Sequence, residues 1–234
     1  MSQIQIFGLT FNLYGLILGL AILAAFQASL WLAKRRKIPV QLIEQLFWWV
    51  VIGGIIGARI YHVIDKWKEI YSLNPQSVFY VWNGGLGIWG AIGGGVIGLL
   101  GYWVIKLQMK INFFVLVDVV MFGVPLGQAI GRWGNFFNNE IVGKNGEPLF
   151  LYESGLSFVL FVILVKLVKL DKFGKESGKI SGLYLIGYGL IRILLEPLRP
   201  EAMVWKIGIM PTASLVSMVA ILTGISLISW RRRF

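Results

Sequence analysis

The chain has 234 residues, of which 57% are hydrophobic and only 14% are charged, and its mean hydropathy is +0.75. Soluble domains carry about a quarter charged residues, so this composition excludes an ordinary soluble fold. Cysteine is absent, which excludes disulfides, thiol nucleophiles and cysteine-ligated metals. The net charge of +11 does not indicate nucleic-acid binding, because the basic residues lie mostly in short segments between apolar runs.

Several apolar runs are long enough to cross a membrane as helices, for which about 20 residues suffice. The runs cover residues 1–33, 42–64, 78–105, 111–131, 149–165, 180–196 and 207–230. Pro197 follows the sixth run and should end or kink that helix. No linker or internal repeat divides the chain. We therefore expect an all-α integral membrane protein, a seven-span helical bundle, built as a single domain over residues 1–234.

The distribution of Lys and Arg predicts the orientation, because cytoplasmic loops are enriched in these residues. If the N-terminus lies outside, most of the basic residues fall on the cytoplasmic side, within residues 34–37, 106–110, 166–179 and 231–233. The arginines at or near the outer ends of spans are Arg59, Arg132, Arg192 and Arg199. We therefore expect the N-terminus outside and the C-terminus in the cytoplasm.

Glycines four residues apart recur in these runs and favour close helix packing. They occur at Gly15/Gly19, Gly53/Gly57, Gly90/Gly94/Gly98 and Gly123/Gly127/Gly131. The glycine-rich segment 84–87 could also line a cavity that holds an acyl chain. Packing is the preferred interpretation of each set.

Polar residues after the fourth run form the first candidate site, since ionisable residues in membrane proteins require partners and are functional by default. Residues 131–143 have the sequence GRWGNFFNNEIVG, in which Arg132, Asn135 and Asn138 are three apart and Asn139 is four beyond Asn135. On a helical turn these side chains would share one face. The glycines at both ends suggest bends there. The alternative is an interfacial loop with solvated polar groups.

Two further polar groups accompany this segment. Tyr188, Arg192 and Glu196 lie at helical spacing on the sixth run, and Arg199 follows. Arg192 and Glu196 are close enough to pair, and a structural ion pair between helices is the alternative interpretation. Tyr152 and Glu153 lie near the start of the fifth run, where snorkelling to the interface is the alternative. Guanidinium grips phosphate in a bidentate fork, so arginines at the outer interface suit an anionic lipid headgroup.

These residues resemble the motifs of prolipoprotein diacylglyceryl transferases, bacterial enzymes of lipoprotein maturation. The family signature runs Gly-Arg-x-Gly-Asn-Phe-x-Asn-x-Glu with a glycine three residues later, and residues 131–143 match it. Other motifs of the family follow in the same order across nearly the whole chain. They lie at residues 14–16, 57–59, 81–86, 151–153 and 184–192, the last followed by Glu196 and Arg199.

The resemblance implies a multi-pass enzyme of the bacterial plasma (inner) membrane, with its active site toward the outer face. It would transfer the diacylglyceryl group of phosphatidylglycerol to the lipobox cysteine thiol of a prolipoprotein signal peptide, forming a thioether and releasing glycerol phosphate. The lack of cysteine fits, because that thiol belongs to the substrate. We expect membrane lipids around the protein, no nucleic-acid partner, no cofactor or metal, and a monomer.

The resemblance also assigns roles to individual residues, with Arg132 and Arg192 binding the lipid phosphate. The implied catalytic residues are Arg132, Asn135, Glu140 and Arg192. The implied substrate-binding residues are Tyr14, Asn138, Gly143, Glu153, Glu196 and Arg199.

The sequence departs from the family at the proposed general base. Relatives often carry a histidine in the third span, and Trp89 stands at that position here. The only histidine, His62, lies on the second span and does not match that site. We hypothesise that Glu140, or the positive field acting on the substrate thiol, replaces a histidine base.

The outer loop also departs from the family pattern, because it is short between Gly143 and Tyr152. The usual His-Pro-Ser-Gln that precedes Leu-Tyr-Glu is replaced by residues 147–150, Glu-Pro-Leu-Phe. A periplasmic head domain is therefore not expected.

A membrane transporter or another phospholipid-binding membrane protein is the alternative function. A transporter predicts internal repeats, helices broken at mid-membrane and a polar path across the bilayer. Here the polar groups gather toward one face, and only Asp118 and Glu44 lie toward the other. The transferase is therefore preferred.

Overall fold

The computed structural model describes residues 3–6, 9–106, 111–138, 140–170, 177–201 and 204–229. The described part contains seven helices long and apolar enough to cross a membrane, which confirms the seven-span prediction. They are α1 Leu13–Arg35, α2 Val40–Asp65, α3 Ile88–Ile105, α4 Phe113–Phe137, α5 Leu149–Lys169, α6 Lys179–Leu195 and α7 Thr212–Ser229. Asn139 and the basic residues expected at 110, 172, 175 and 231–233 lie outside the described residues.

The described residues before Leu13, which are 3–6 and 9–12, do not continue the first helix, contrary to the sequence prediction. They form an antiparallel hairpin of β1 Gln3–Ile6 and β2 Leu9–Asn12. The Asn12 side chain accepts a hydrogen bond of 3.0 Å from the Tyr14 backbone N–H and caps α1. An N-cap of this kind satisfies a donor that the first turn leaves free, which sets the start of the helix.

The third helix also begins later than the predicted residue 78. Two short 3₁₀ helices, Pro75–Phe79 and Val81–Asn83, precede it. Gly84 and Gly85 then have φ values of +84° and +71°, a left-handed conformation that glycine adopts without steric cost. Hydropathy does not detect this turn, so the predicted apolar run begins at residue 78, before α3 starts at Ile88.

The fourth helix ends later than predicted, at Phe137. The bend expected at Gly131 is absent, because helical hydrogen bonding continues until the Asn138 backbone N–H bonds the Gly134 carbonyl at 3.2 Å. The start of the polar signature is therefore helical, and its side chains are held by a transmembrane helix.

The seventh helix starts at Thr212, after a hairpin of β3 Lys206–Ile207 and β4 Met210–Pro211. The apolar run from residue 207 therefore includes a short hairpin that hydropathy does not distinguish from the helix.

The chain forms two compact units, the first from Met1–Lys37 and Val117–Phe234 and the second from Ile38–Leu116. In the second unit, α2 and α3 pack through the predicted glycines. A Cβ on Gly57 would overlap the carbonyl oxygen of Gly90 and lie 2.8 Å from the Cα of Gly94. Close backbone approach of this kind is how helices associate in lipid, where side-chain hydrophobicity offers little drive.

The helices of the first unit also approach closely at small residues. Gly123 of α4 lies against Ala25 of α1. Gly182 of α6 faces Gly224 of α7, and a Cβ on Gly182 would lie only 2.7 Å from the Gly224 carbonyl oxygen. The predicted packing at Gly15/Gly19 is wrong, since no described atom lies within 4 Å of a Cβ placed on either glycine.

Asp118 connects three helices at the opposite end of the first unit from Tyr14. Its side chain is fully buried. Both Nη atoms of Arg36 lie 3.0 Å from Oδ2, which also accepts the Gly178 backbone N–H at 2.9 Å. Ser181 donates to Oδ1 from its backbone N–H and its hydroxyl, at 2.8 Å and 2.6 Å. The carboxylate therefore caps the positive N-terminal end of α6, and its role is structural.

Candidate active site

Glu153 is the centre of an arginine cluster in the first unit. It lies near the start of α5 and is only 2% exposed. Its Oε1 accepts hydrogen bonds from Arg192 at 2.8 Å and from Arg199 at 2.9 Å. Its Oε2 forms an ion pair with Nε of Arg132 at 2.5 Å. A buried carboxylate requires such partners to remain charged, so Glu153 does not snorkel to the interface.

Glu196 supplies the second buried carboxylate of the cluster and is 6% exposed. Its Oε2 lies 3.0 Å from Nη2 of Arg192, which confirms the predicted pairing, and 3.8 Å from Nε of Arg199. Pro197 stands in the 3₁₀ turn Glu196–Leu198 that ends α6. The chain is extended at Arg199, and this change of direction returns the Arg199 side chain to Glu153.

The cluster carries excess positive charge, because three guanidinium groups surround two carboxylates. The arginine side chains are 21%, 13% and 18% exposed for Arg132, Arg192 and Arg199, whereas those of the two glutamates are at most 6% exposed. Arg132 pairs through Nε, and its Nη groups donate no hydrogen bond to a described residue. The buried Nε of Arg199 has no hydrogen bond within the described part of the chain. The Nη groups of Arg132, whose side chain is 21% exposed, are therefore available to an anion.

A second cluster lies at the C-terminal end of α4. Glu140 accepts hydrogen bonds from Nδ2 of Asn135 at 2.9 Å and from Nδ2 of Asn138 at 3.3 Å, one on each carboxylate oxygen. The Glu140 backbone N–H also bonds the Asn135 carbonyl at 2.8 Å. Glu140 is exposed, and the two amides orient its carboxylate. The buried Oδ1 of Asn138 has no partner within the described residues and can accept a hydrogen bond from a ligand.

Tyr14 lies between the two clusters. Its ring packs against Gly134, where a Cβ would come within 2.8 Å of the ring. Its hydroxyl is within electrostatic reach of both Glu140 and Arg132. The Asn12 cap fixes the first turn of α1 and so positions this ring.

Gly143 forms a tight turn with Glu147. The Gly143 backbone N–H bonds the Glu147 carbonyl at 2.8 Å, and a Cβ on Gly143 would overlap the Glu147 side chain. Glu147 in turn accepts the backbone and side-chain N–H groups of Asn145, both at 2.9 Å. The next residue, Lys144, donates its backbone N–H to the Leu198 carbonyl at 2.9 Å. This bond attaches the turn to the segment that carries Arg199.

Glu147 closes this turn, a role that sequence reasoning missed. Hydrogen bonds from its own backbone N–H and from Asn145 hold the pKa of the Glu147 carboxyl below its usual range. The Asn-Gly dipeptide at residues 145–146 is a strong turn signal and could have predicted the turn that Glu147 closes.

Tyr188 does not join the arginine cluster, although it shares helical spacing with Arg192. Its ring stacks on that of Tyr184, with centroids 5.8 Å apart and planes at 9°. The stacked rings lie on α6 and make no hydrogen bond to the charged groups of the cluster among the described residues.

The second unit contains the other candidates named from the sequence. Arg59 is 8% exposed and donates to backbone carbonyls of the segment before α3, including those of Val78 at 2.9 Å and Gly84 at 2.7 Å. Nδ1 of His62 lies 2.9 Å from the Tyr71 hydroxyl. Trp89, at the position of the family's histidine, is 43% exposed in the first turn of α3. Arg59 and His62 therefore hold local structure.

No group of three or more metal-ligating side chains occurs among the described residues. The charged groups present suit a phosphate rather than a cation, since positive charge exceeds negative in the arginine cluster.

Seven spanning helices and an arginine cluster near the end of three of them define a multi-pass membrane protein with a candidate anion-binding site. Comparison with known families sharpens this class. The sequence profile described as prolipoprotein diacylglyceryl transferase matches residues 2–230. The chain therefore belongs to the prolipoprotein diacylglyceryl transferase family.

Similar bacterial proteins are named phosphatidylglycerol–prolipoprotein diacylglyceryl transferase. The protein of Trichormus variabilis is 34% identical over 253 residues, covering 97% of this chain and 88% of the relative. That of Finegoldia magna is 35% identical over 236 residues, covering 95% and 92%. That of Gloeobacter violaceus is 32% identical over 258 residues, covering 98% and 92%. The similarity thus extends over nearly the full length of each pair.

Proposed function

We propose that this protein transfers the diacylglyceryl group of phosphatidylglycerol to the lipobox cysteine thiol of a prolipoprotein. The family membership and the names of the relatives support these substrates. The carbon–oxygen bond to the phosphate breaks as the carbon–sulfur bond forms, so glycerol phosphate leaves with the electron pair and the product is a thioether.

The observation that carries this proposal is the excess positive charge around Glu153. The Nη groups of Arg132 donate no hydrogen bond to a described residue, and Arg192 lies beside Arg132 on the same carboxylate. The two buried glutamates orient the guanidiniums without neutralising all of them. The phosphate of the lipid binds these N–H groups, which then stabilise the negative charge that develops on the leaving group.

The thiol of the substrate needs to lose its proton before or during attack. A thiol has an unperturbed pKa of about 8.5, and the positive charge of nearby arginines increases the fraction present as thiolate. Glu140, held by Asn135 and Asn138 and exposed at the end of α4, receives the proton. Tyr14 and Gly143 shape the space between Glu140 and the arginines.

The expected placement in the cell completes the proposal. The protein lies in the bacterial inner membrane with its N-terminus outside, its C-terminus in the cytoplasm and the arginine cluster toward the outer leaflet. The basic residues 34–37, 166 and 169 lie at the opposite helix ends from Arg132 and Glu153, as the positive-inside rule favours. It acts as a monomer, and the whole chain serves as one catalytic domain.

The test is release of glycerol phosphate from phosphatidylglycerol vesicles by the purified full-length protein and a lipobox peptide. Wild-type protein should release it, and a peptide with serine in place of the lipobox cysteine should not support release. Arg132→Gln and Arg192→Gln should each lose at least about tenfold in rate, equivalent to about 1.4 kcal/mol of transition-state stabilisation.

Lys206→Gln is the matched control, because it removes one exposed positive charge from the β3–β4 hairpin that takes no part in the ion pairs of the cluster. Its rate should equal that of the wild type. Failure of a folded wild-type sample to release glycerol phosphate, or wild-type rates from both arginine variants, would reject the proposal.

A further inference from the structure

A groove on the first unit, distinct from the arginine cluster, lies between α1 and α5 over α4. Its volume is about 240 Å³. The lining residues are mostly apolar and comprise Ala28, Trp31, Phe122, Phe161, Val165 and Lys169. Compact small-molecule sites are usually larger, at about 300–1,000 Å³, whereas a linear acyl chain needs only part of its length held.

Aromatic rings form the floor and walls of this groove. Phe122 is fully buried, and its ring stacks on Trp31 at 5.5 Å with planes at 14°. Phe161 also packs against Phe122, with centroids 5.5 Å apart. A rigid, apolar surface of this kind favours a hydrocarbon chain over water.

Two cations stand at the groove. Lys169, in the last turn of α5, lines it directly, and Arg35, in the last turn of α1, places its guanidinium over the Trp31 ring at 5.4 Å. Neither forms an ion pair with a described carboxylate. Arg36, by contrast, is paired with Asp118. The groove is therefore apolar along its length and has two positively charged side chains beside it. Neither of them has a counter-ion among the described residues.

We propose that this groove is a binding site for an anionic phospholipid, with one acyl chain against Trp31 and Phe161 and the phosphate between Arg35 and Lys169. Basic pockets between helices at one end of a membrane protein recognise anionic lipid headgroups. In the orientation proposed above, this lipid belongs to the cytoplasmic leaflet. It is therefore separate from the phosphatidylglycerol at the arginine cluster, and the site's existence does not depend on the transferase activity.

The test uses the full-length protein in phosphatidylcholine vesicles with a small fraction of a lipid that carries a photoactivatable diazirine on one acyl chain. The probe is either phosphatidylserine, which is anionic, or phosphatidylcholine, which is zwitterionic. Phosphatidylserine is chosen because its headgroup differs from that of the proposed substrate. After irradiation, mass spectrometry of peptides maps the labelled residues.

We expect phosphatidylserine to label the segments around Trp31 and Phe161 more than phosphatidylcholine does. The double variant Arg35→Gln/Lys169→Gln should lower that labelling by about fivefold for each charge removed. The matched control is Lys34→Gln/Lys166→Gln, which removes two exposed charges from the same helix ends without altering the groove. The control should label as the wild type does.

Three results would overturn the proposal. Equal labelling of the wild type by phosphatidylserine and phosphatidylcholine would mean that the groove is covered by surrounding lipid of any headgroup. An equal loss in both double variants would mean a general attraction of the basic helix ends. Unchanged labelling in Val165→Trp, whose larger side chain should fill the groove, would mean that the chain lies elsewhere.

Discussion

Nη1 of Arg192 lies 2.8 Å from Oε1 of Glu153, a contact between side chains that are 39 residues apart in the sequence. The same carboxylate also meets Arg132 and Arg199. One buried glutamate thus holds the three arginines of the cluster in fixed positions, and its removal should affect both stability and phosphate binding.

Glu153→Gln should therefore be strongly destabilising. The substitution leaves three guanidiniums with Glu196 as their one carboxylate in the cluster, and breaking a buried ion pair from one side costs about 3–5 kcal/mol. The measurement is denaturant unfolding in detergent, followed by the release assay at a temperature where the variant is folded. Tyr152→Phe, which changes a neighbouring side chain that is 41% exposed, should change neither the free energy of unfolding nor the rate of glycerol phosphate release. Wild-type stability of Glu153→Gln would contradict the role assigned to this carboxylate.

Gly57→Ala should destabilise the second unit, because the added Cβ would overlap the Gly90 carbonyl oxygen. Overpacking of this kind costs about 1–3 kcal/mol. Gly93→Ala on α3 is the matched control, since no described atom lies within 4 Å of a Cβ there and alanine is the better helix former. Thermal unfolding of both variants measures the difference. Equal melting temperatures of the two variants would contradict this prediction, because they would mean that α2 and α3 can move apart at position 57 with little loss of stability.

The turn at residues 143–147 should open at acid pH. Hydrogen bonds hold the pKa of the Glu147 carboxyl below its usual range. The stabilisation that they give to the turn is therefore complete above the ordinary glutamate pKa of about 4.3. It is lost as the pH falls through the lowered value. Hydrogen exchange of the Asn145 amide, corrected for its intrinsic rate, should therefore accelerate in this acid range.

Glu147→Gln should abolish that acid step, leaving exchange at Asn145 fast at every pH. Glu201→Gln, which changes an exposed carboxylate, should keep the step. A step that persists in Glu147→Gln would assign it to another group.

His62→Gln should retain most of the transfer rate. His62 contacts the Tyr71 hydroxyl at 2.9 Å and lies against Gly85 in the second unit, and glutamine can keep a hydrogen bond there. If histidine were the general base, the dependence of the rate on pH would change in the variant. We expect an unchanged dependence. Near-total loss of activity in a folded variant would reject the hypothesis that no histidine serves as base.

The location of the spans was largely predictable, and the errors share a cause. Run length is set by bilayer thickness, so hydropathy finds each helix. It does not detect the hairpin before Leu13 or the left-handed turn at Gly84–Gly85, because those depend on backbone hydrogen bonds and dihedral angles. It also ended α4 too early at residue 131, since polar Arg132 and Asn135 remain helical.

The site residues were named from the sequence, but their mutual relations were not. Helical spacing predicted the pair of Arg192 and Glu196, because four residues bring side chains onto one face. No spacing rule predicts that Arg132 and Arg199 both reach Glu153, since these contacts join separate helices. Glu147 was missed for a different reason: its contacts with Asn145 are local, and the Asn-Gly turn signal at residues 145–146 was not used.

The sequence by itself determined that this is a seven-span membrane protein with surplus arginines and family motifs, because composition and apolar run length are local properties. Only the tertiary structure decided which carboxylate the arginines share and which guanidinium groups remain available to an anion. Those facts depend on burial, and burial depends on how helices distant in the sequence pack together.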